Sequence, residues 1–174
     1  MVDIVKQVVE FYLKNNKIPE KKDLVIIDKT LENRRWNFFV TIYKSGEVSW
    51  SAWNIKELKI NALEELIANA IEAVNDKRFS LTMWDLKNLE YRVDEIVKRE
   101  VLWDLEIFKL DPFKKWVIAI KKDREKMAVI LPNISPLLLT GEDLVSSLGK
   151  KLWEEFDEKN YDLFSIETVQ KTSF

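Results

Sequence analysis

Three polar residues near the middle of the chain could bind or transform a ligand. Asp76 and Arg78 follow a predicted helix, and the Arg78 guanidinium presents a planar fork that suits a carboxylate or a phosphate. Asn69 lies on a mostly apolar part of that helix, where its amide could face a polar pocket. Structural roles are the alternative, with Asp76 and Arg78 joining the helix end to the next loop and Asn69 satisfying backbone groups. We favour the structural roles.

Two tryptophans, Trp50 and Trp53, lie three residues apart on a predicted strand. Because side chains alternate between the two faces of a strand, we expect the two indoles on opposite faces unless a bulge intervenes. One ring can then belong to the core while the other forms an exposed platform for a flat ligand, a nucleobase or a partner. Core packing is the expected role of at least one ring.

Two further patterns are assigned to ordinary surface and packing roles. The acidic residues of 154–158 lack the glycine-bearing spacing of a calcium loop, so we interpret them as a solvated face. Residues 34–36 and 114–116 interleave cations with an indole, as weak nucleic-acid patches do. A sequence pI of about 5.5 favours local packing or cation–π contacts instead.

Several chemistries are excluded by residue types that the chain lacks. It has no histidine and no cysteine, so it contains no Ser-His-Asp triad, no Cys-His dyad, no conventional zinc site and no disulfide. Neither a GxGxxG nor a GxxxxGK[ST] phosphate loop occurs. We therefore predict no metal site, no cofactor and no standard Rossmann or P-loop nucleotide site.

Length and composition indicate one folded domain over 1–174, with room at most for a small subdomain. The chain is 47% hydrophobic and 33% charged, the balance of a globular protein. No apolar stretch approaches the roughly 20 residues that span a bilayer, and the N-terminus lacks the features of a signal peptide. We predict a cytoplasmic protein that does not bind membranes. Abundant Lys and Glu with no Cys favour a thermophilic source.

Hydrophobic periodicity predicts an antiparallel-rich α+β pattern around these residues. Helices are predicted from residue 4 to about 16, from 63 to about 75, from Thr82 to about 89, and from Thr140 through Trp153 to Phe156. Hairpins are predicted from strands at 38–43 and 48–53, and at 116–120 and 127–131, the second with a fully solvated tip at 121–126. Further strands are predicted at 91–97 and 161–169.

Several short segments occur in the order and approximate spacing of one known family. They are Phe39-Val40-Thr41-Ile42, Gly46-Glu47-Val48, Asn69-Ala70 with Ala73, Asp76-Lys77-Arg78-Phe79 with Leu81-Thr82, and Leu131-Pro132-Asn133-Ile134. On these segments the sequence resembles the AMMECR domain family, also called AmmeMemoRadiSam system protein A. The resemblance covers nearly the whole chain and implies a compact α+β fold with no settled biochemical activity.

The chain departs from that family on the strand after Gly46-Glu47. Typical members read Leu-Arg-Gly-Cys-Ile-Gly there, a stretch suspected of forming the functional site. The arginine becomes Ser49, the cysteine becomes Ser51, and the two glycines become Trp50 and Trp53. We therefore expect indole rings to narrow or fill the family's cleft. A serine hydroxyl also needs an adjacent base, which only Lys, Asp or Glu could supply in this chain.

The sequence therefore predicts a noncatalytic AMMECR-type domain that binds an unidentified protein partner or small ligand beside the remodelled strand. The candidate binding residues are Ser49, Trp50, Ser51, Trp53, Asn69, Asp76 and Arg78. Two alternatives stay open. One is an enzyme of unassigned reaction on RNA or a cofactor, with a pocket near Ser51 and Arg78. The other is a weak nucleic-acid binder, which the net charge of −2 disfavours.

Overall fold

The computed structural model describes residues 1–53, 58–76, 80–103, 105–123, 125–131 and 137–174, with the backbone alone for 47–53. The chain divides into two compact units. Unit 1 contains residues 1–96 and 169–174, and unit 2 contains residues 97–168. The single domain expected from the sequence stays a prediction. Over the described residues, no helix is both long and apolar enough to cross a membrane.

Helices and antiparallel strands mix along the chain, which confirms the predicted α+β class. The helices are α1 (Val2–Asn15), α2 (Ala62–Val74) and α3 (Gly141–Leu152). The strands are β1 (Phe38–Lys44), β2 (Glu47–Trp53), β3 (Leu89–Leu102), β4 (Trp116–Lys121), β5 (Met127–Ile130) and β6 (Tyr161–Thr172). Short 3-10 helices lie at Lys21–Asp23, Lys29–Glu32, Met83–Asn88, Glu106–Lys109 and Glu158–Asn160.

Unit 1 packs α1 and α2 against strands in the order β2-β1-β3. The predicted β1–β2 hairpin is confirmed, and its two-residue loop has positive φ at both Ser45 (55°) and Gly46 (80°), as the twist of a tight hairpin requires. The buried residues Phe38, Val40 and Ile42 alternate along β1 and belong to the same core as the two helices.

Helix α2 forms where the sequence predicted it, because a cap and an apolar stripe coincide. The side chain of Asn61 accepts a hydrogen bond from the Glu64 amide at 2.9 Å and so satisfies one of the free N–H groups at the helix start. Leu63, Leu66 and Ala70 then pack into the core of unit 1.

Unit 2 packs α3 against strands in the order β3-β6-β4-β5. The predicted β4–β5 hairpin and the start of α3 are confirmed. Thr140 and Asp143 form a reciprocal capping box, with the Thr140 amide donating to Asp143 at 2.9 Å. Leu144, Leu148 and Leu152 fall on one face of α3 and fill the core.

The short helix predicted after Thr82 is confirmed as a 3-10 helix, Met83–Asn88, with Thr82 as its N-cap. The structure corrects the predicted bounds of three other elements, α3, β3 and β6. The predicted helix from Thr140 to Phe156 ends at Leu152, since Trp153 adopts the left-handed conformation that terminates helices, with φ of 56°. The strands β3 and β6 both extend beyond the predicted ranges, to Leu102 and to Thr172.

Candidate functional site

Strand β2 carries four of the predicted site residues, and its backbone register is defined. Trp50 pairs with Ile42, and Trp53 pairs with Phe39. The register then shifts so that Tyr43 pairs with Val48, which makes Ser49 the extra residue of a β-bulge. The side chains at Ser49, Trp50, Ser51 and Trp53 lie outside what the structure describes, so their predicted orientations stay predictions.

Asn69 lies inside unit 1, where it joins α2 to β1. Its side chain has 0% exposure, and its Nδ2 atom donates to the Phe38 carbonyl at 3.0 Å. A buried amide that satisfies a backbone carbonyl has the structural role that the sequence analysis favoured. In this conformation a ligand in solvent has no access to it.

Asp76 lines a polar cleft of about 490 Å³ at the adjoining ends of α1 and α2. The Tyr12 hydroxyl donates to Asn75 Oδ1 at 3.0 Å on one wall, and Asn75 in turn donates to the Ile71 carbonyl at 2.9 Å. Ser80 and Thr82 form part of the opposite wall. Residues 77–79, which include Arg78, and the family-like residues 132–134 lie outside the described residues. Of Asp76 and Arg78, only Asp76 is therefore placed in this cleft.

A second, larger groove of about 650 Å³ runs along the outer face of α2. Ile67 and Ile71 form its apolar floor, and Ile18 and Pro19 form part of the facing wall. This groove was not predicted from the sequence. Its signal was the width of the apolar stripe on α2, which includes the half-buried Ile67 and Ile71 in addition to the fully buried residues.

One buried carboxylate holds the chain segment at the entrance of this groove. Glu65 is 1% exposed, and its Oε2 atom accepts hydrogen bonds from the amides of Leu58 at 3.0 Å and Lys59 at 2.9 Å. Lys59 itself lines the groove. The only sequence signal for this role was an acidic residue next to Leu66 on the buried side of the helix.

A compact ionic cluster in unit 2 surrounds Glu154. Its carboxylate accepts hydrogen bonds from Lys126, from the Tyr161 hydroxyl and from Lys121, the last at 3.2 Å. These bonds, that from Lys126 foremost, lower the pKa of Glu154 to about 2, while burial, reinforced by that carboxylate, raises the pKa of Tyr161 to about 12. Both groups therefore keep one protonation state near neutrality, as members of a structural clamp.

The Glu154 cluster corrects two predictions. The acidic face at 154–158 is not uniformly solvated, because Glu154 joins the end of α3 to the β4–β5 hairpin and to β6. The hairpin tip is not fully solvated either, since Lys121 and Lys126 at its two ends are paired with Glu154. Spacing along the sequence could not reveal the contacts of Glu154 with Lys121 and Lys126, which lie 33 and 28 positions away.

The cation–indole patterns have local roles, as the sequence analysis favoured. The Arg34 guanidinium carbon lies 4.9 Å from the centre of the Trp36 ring, and Trp116 is fully buried. Lys115 is paired with Glu167. Within the described ranges, no group of three Asp or Glu side chains is arranged to hold a metal ion.

Comparison with known proteins gives a fold likeness and two partial sequence matches. No family model matches the chain. Protein CA_C1420 of Clostridium acetobutylicum is 27% identical over 142 residues, which are 80% of this chain and 29% of that protein. An alanine–tRNA ligase of Mycoplasmopsis synoviae is 31% identical over 102 residues, 55% of this chain and 11% of that enzyme. The chain thus spans under a third of either relative.

The structural comparison is more extensive. The crystal structure of the uncharacterized protein PH0010 from Pyrococcus horikoshii superposes with a TM-score of 0.80. The match covers 97% of this chain and 87% of that one, at 17% sequence identity. At this identity the likeness concerns the fold, and this chain shares the fold of the Pyrococcus protein along nearly its whole length.

Proposed function

We propose that this chain is a diverged AMMECR-type domain that works by binding a protein partner or a small ligand and not by catalysis. The family assignment rests on the sequence segments quoted above, and the fold shared with PH0010 over 97% of the chain is compatible with it. The proposed activity is that of this chain and not of CA_C1420 as a whole, because the chain covers only 29% of that protein.

The observation that carries the proposal is the open groove along α2. Its volume of about 650 Å³ falls in the range of roughly 300–1,000 Å³ that is typical of ligand sites. Its floor is apolar at Ile67 and Ile71, and exposed apolar side chains follow one another on nearby chain at Leu58 and Ile60. Such apolar surface contributes binding energy when it is covered.

Two polar residues, Asn69 and Glu154, point the same way. Asn69 is committed to the Phe38 carbonyl, and Glu154 is committed to two lysines and a tyrosine. An effective general base has a pKa near the working pH, whereas the pKa of Glu154 is about 2. In a binding protein these two side chains need no catalytic property. Their hydrogen bonds stabilise the fold around an accessible surface.

Affinity purification with three forms of the chain tests this proposal. The wild type, a form carrying Arg-Gly-Cys-Ile-Gly at 49–53 and the double variant Ile67→Asp/Ile71→Asp are immobilised and exposed to lysate and to a metabolite extract. We expect the wild type to retain a defined partner or ligand without the graft. Retention that appears only in the grafted form would overturn the proposal. So would turnover of a retained compound by the wild type that is lost in a separately prepared fourth form, Ser51→Ala.

Weak RNA binding is the second candidate, and the match of 102 residues to an alanine–tRNA ligase favours testing it. The net charge of −2 implies that any such binding depends on a few local contacts. Retention on transfer RNA that falls steeply with added salt would support this candidate. Absence of retention at low salt would eliminate it.

A further inference from the structure

The outer face of α2 carries two parallel ridges of side chains four residues apart. Leu63, Ile67 and Ile71 form an apolar ridge, in which Leu63 is buried in the core of unit 1 while Ile67 and Ile71 are half-buried and remain accessible from the groove. Glu64, Ala68 and Glu72 form the next ridge around the helix. All six residues line the groove. Rows of this kind are the surfaces into which a second helix packs, at a distance of about 8–10 Å between the helix axes.

The charges of the groove are unevenly satisfied. Among the other charged residues of the groove, Lys21 is paired with Glu32, and Glu20 is paired with Lys22 at 2.7 Å. Lys59 is exposed and forms no ion pair with another described residue. On α2, Glu64 and Glu72 are both exposed, and neither forms an ion pair within the described chain. Because they are eight residues apart, their Cα atoms are separated by about 12 Å along the helix axis. The acidic ridge therefore offers two carboxylates at a fixed spacing.

We propose that the α2 groove docks an amphipathic helix of a partner protein, which inserts an apolar ridge beside Ile67 and Ile71 and places two basic side chains against Glu64 and Glu72. This inference rests on the proposed function and names the kind of partner. The two basic residues of the partner helix are seven or eight positions apart, because the same rise of about 1.5 Å per residue governs both helices. The ion pairs select the register, and the apolar contact supplies the affinity.

A second copy of the chain does not fit this description. Within the described residues, α1 buries Ile4, Val5, Val8 and Val9 in unit 1, and α3 buries Leu144, Leu148 and Leu152 in unit 2. Both helices have therefore already committed their apolar faces. Helix α2 of another copy contains no Lys or Arg, so it has no basic side chain to place against Glu64 and Glu72. The occupant is a helix from a different protein, with an apolar face that is free before binding.

The test uses synthetic peptides and the full chain. The probe is an amidated, fluorescein-labelled peptide of about 18 residues, with Leu at helical spacing on one face and two Lys eight positions apart; this length lets an isolated helix form. A second peptide replaces the two Lys with Glu, and a third scrambles the order of the first. Fluorescence anisotropy measures binding to the wild type, to Glu64→Lys/Glu72→Lys and to Ile67→Asp/Ile71→Asp. The matched control, Glu125→Lys/Glu155→Lys, makes the same charge change on unit 2.

We expect the Lys peptide to bind the wild type and the control variant within about twofold of each other, and to bind each groove variant at least about tenfold more weakly. The Glu peptide should bind Glu64→Lys/Glu72→Lys better than it binds the wild type, a gain that an unfolded variant cannot show. Equal loss in the control, equal binding of the scrambled peptide, or no binding of the Lys peptide to the wild type would overturn the inference.

Two further outcomes separate this inference from the proposed function. Sedimentation that shows a wild-type dimer dissociated by Ile67→Asp/Ile71→Asp would make a second copy the occupant and overturn the inference. If the purified partner is retained by both groove variants, binding occurs elsewhere on the chain. The proposed function would then stand while the groove assignment fails.

Discussion

The first residue of α3, Gly141, should not tolerate a single added methyl group. A Cβ atom built there would lie 2.3 Å from the Cα atom of Phe108 and 2.6 Å from the Ile107 carbonyl oxygen. Ordinary contacts between carbon atoms are about 3.5 Å or longer. The start of α3 would therefore have to move away from the Glu106–Lys109 turn by roughly 1 Å, because the atoms that it meets are backbone and cannot rotate aside.

Overpacking of this kind typically costs about 1–3 kcal/mol, and a clash with backbone belongs at the upper end of that range. Alanine gains at most about 1 kcal/mol over glycine in helix propensity. We therefore expect Gly141→Ala to lower the free energy of unfolding by about 2 kcal/mol. For a chain of this length, that loss lowers the melting temperature by about 4–8 °C.

Gly149→Ala, on the same helix, is the matched control. The nearest neighbour of its added Cβ would be the Glu154 carbonyl oxygen at 3.1 Å, a contact that a small shift relieves. We expect this variant to remain within about 1 kcal/mol of the wild type. Urea unfolding, followed by far-ultraviolet circular dichroism, compares the three proteins. The reasoning is refuted if Gly141→Ala is as stable as Gly149→Ala.

Three further predictions concern buried and capping residues. Asn69→Ala leaves the Phe38 carbonyl without its donor and should destabilise the chain by about 1–3 kcal/mol in urea titrations; an unchanged midpoint contradicts this role. Trp153→Gly should stabilise it by about 1 kcal/mol, because Trp153 is 91% exposed and holds the left-handed conformation that glycine adopts without strain; a lower melting temperature would show that the ring contributes contacts. Glu154→Gln should remove a pH-dependent contribution. Since folding lowers the pKa of Glu154 from 4.5 to about 2, its stabilisation is present above pH 4.5 and lost toward pH 2, so the stability difference between wild type and variant should shrink over that interval. A difference that is constant with pH argues against the clamp.

Local patterns in the sequence predicted most elements of the fold. The apolar spacing of α1 and α2, the Ser45-Gly46 turn and the Thr140–Asp143 capping box each involve residues within a few positions of one another. Such short-range signals are complete in the sequence, because they depend on backbone geometry and not on what packs against it. The predicted helix through Phe156 ends at Leu152 instead. Local spacing does not show where it ends, because the end depends on how the following chain returns to the core.

The candidate site was less accessible to sequence reasoning. Asn69 was correctly weighed as a structural amide, but its partner at Phe38 lies 31 positions away. The groove along α2 was missed, because the stripe that includes Ile67 and Ile71 does not reveal which apolar residues remain uncovered. Only the position of the facing chain around Ile18 decides that.

The sequence by itself determined the chemistry that this protein lacks and the elements from which it is built. Absence of histidine and cysteine is a property of composition, and helical or strand period is a property of near neighbours. The tertiary structure alone decided that Glu154 is a clamp, that Asn69 is inaccessible and that α2 presents an open face. Each of these depends on contacts between residues distant in sequence, and burial is fixed only when the whole chain has packed.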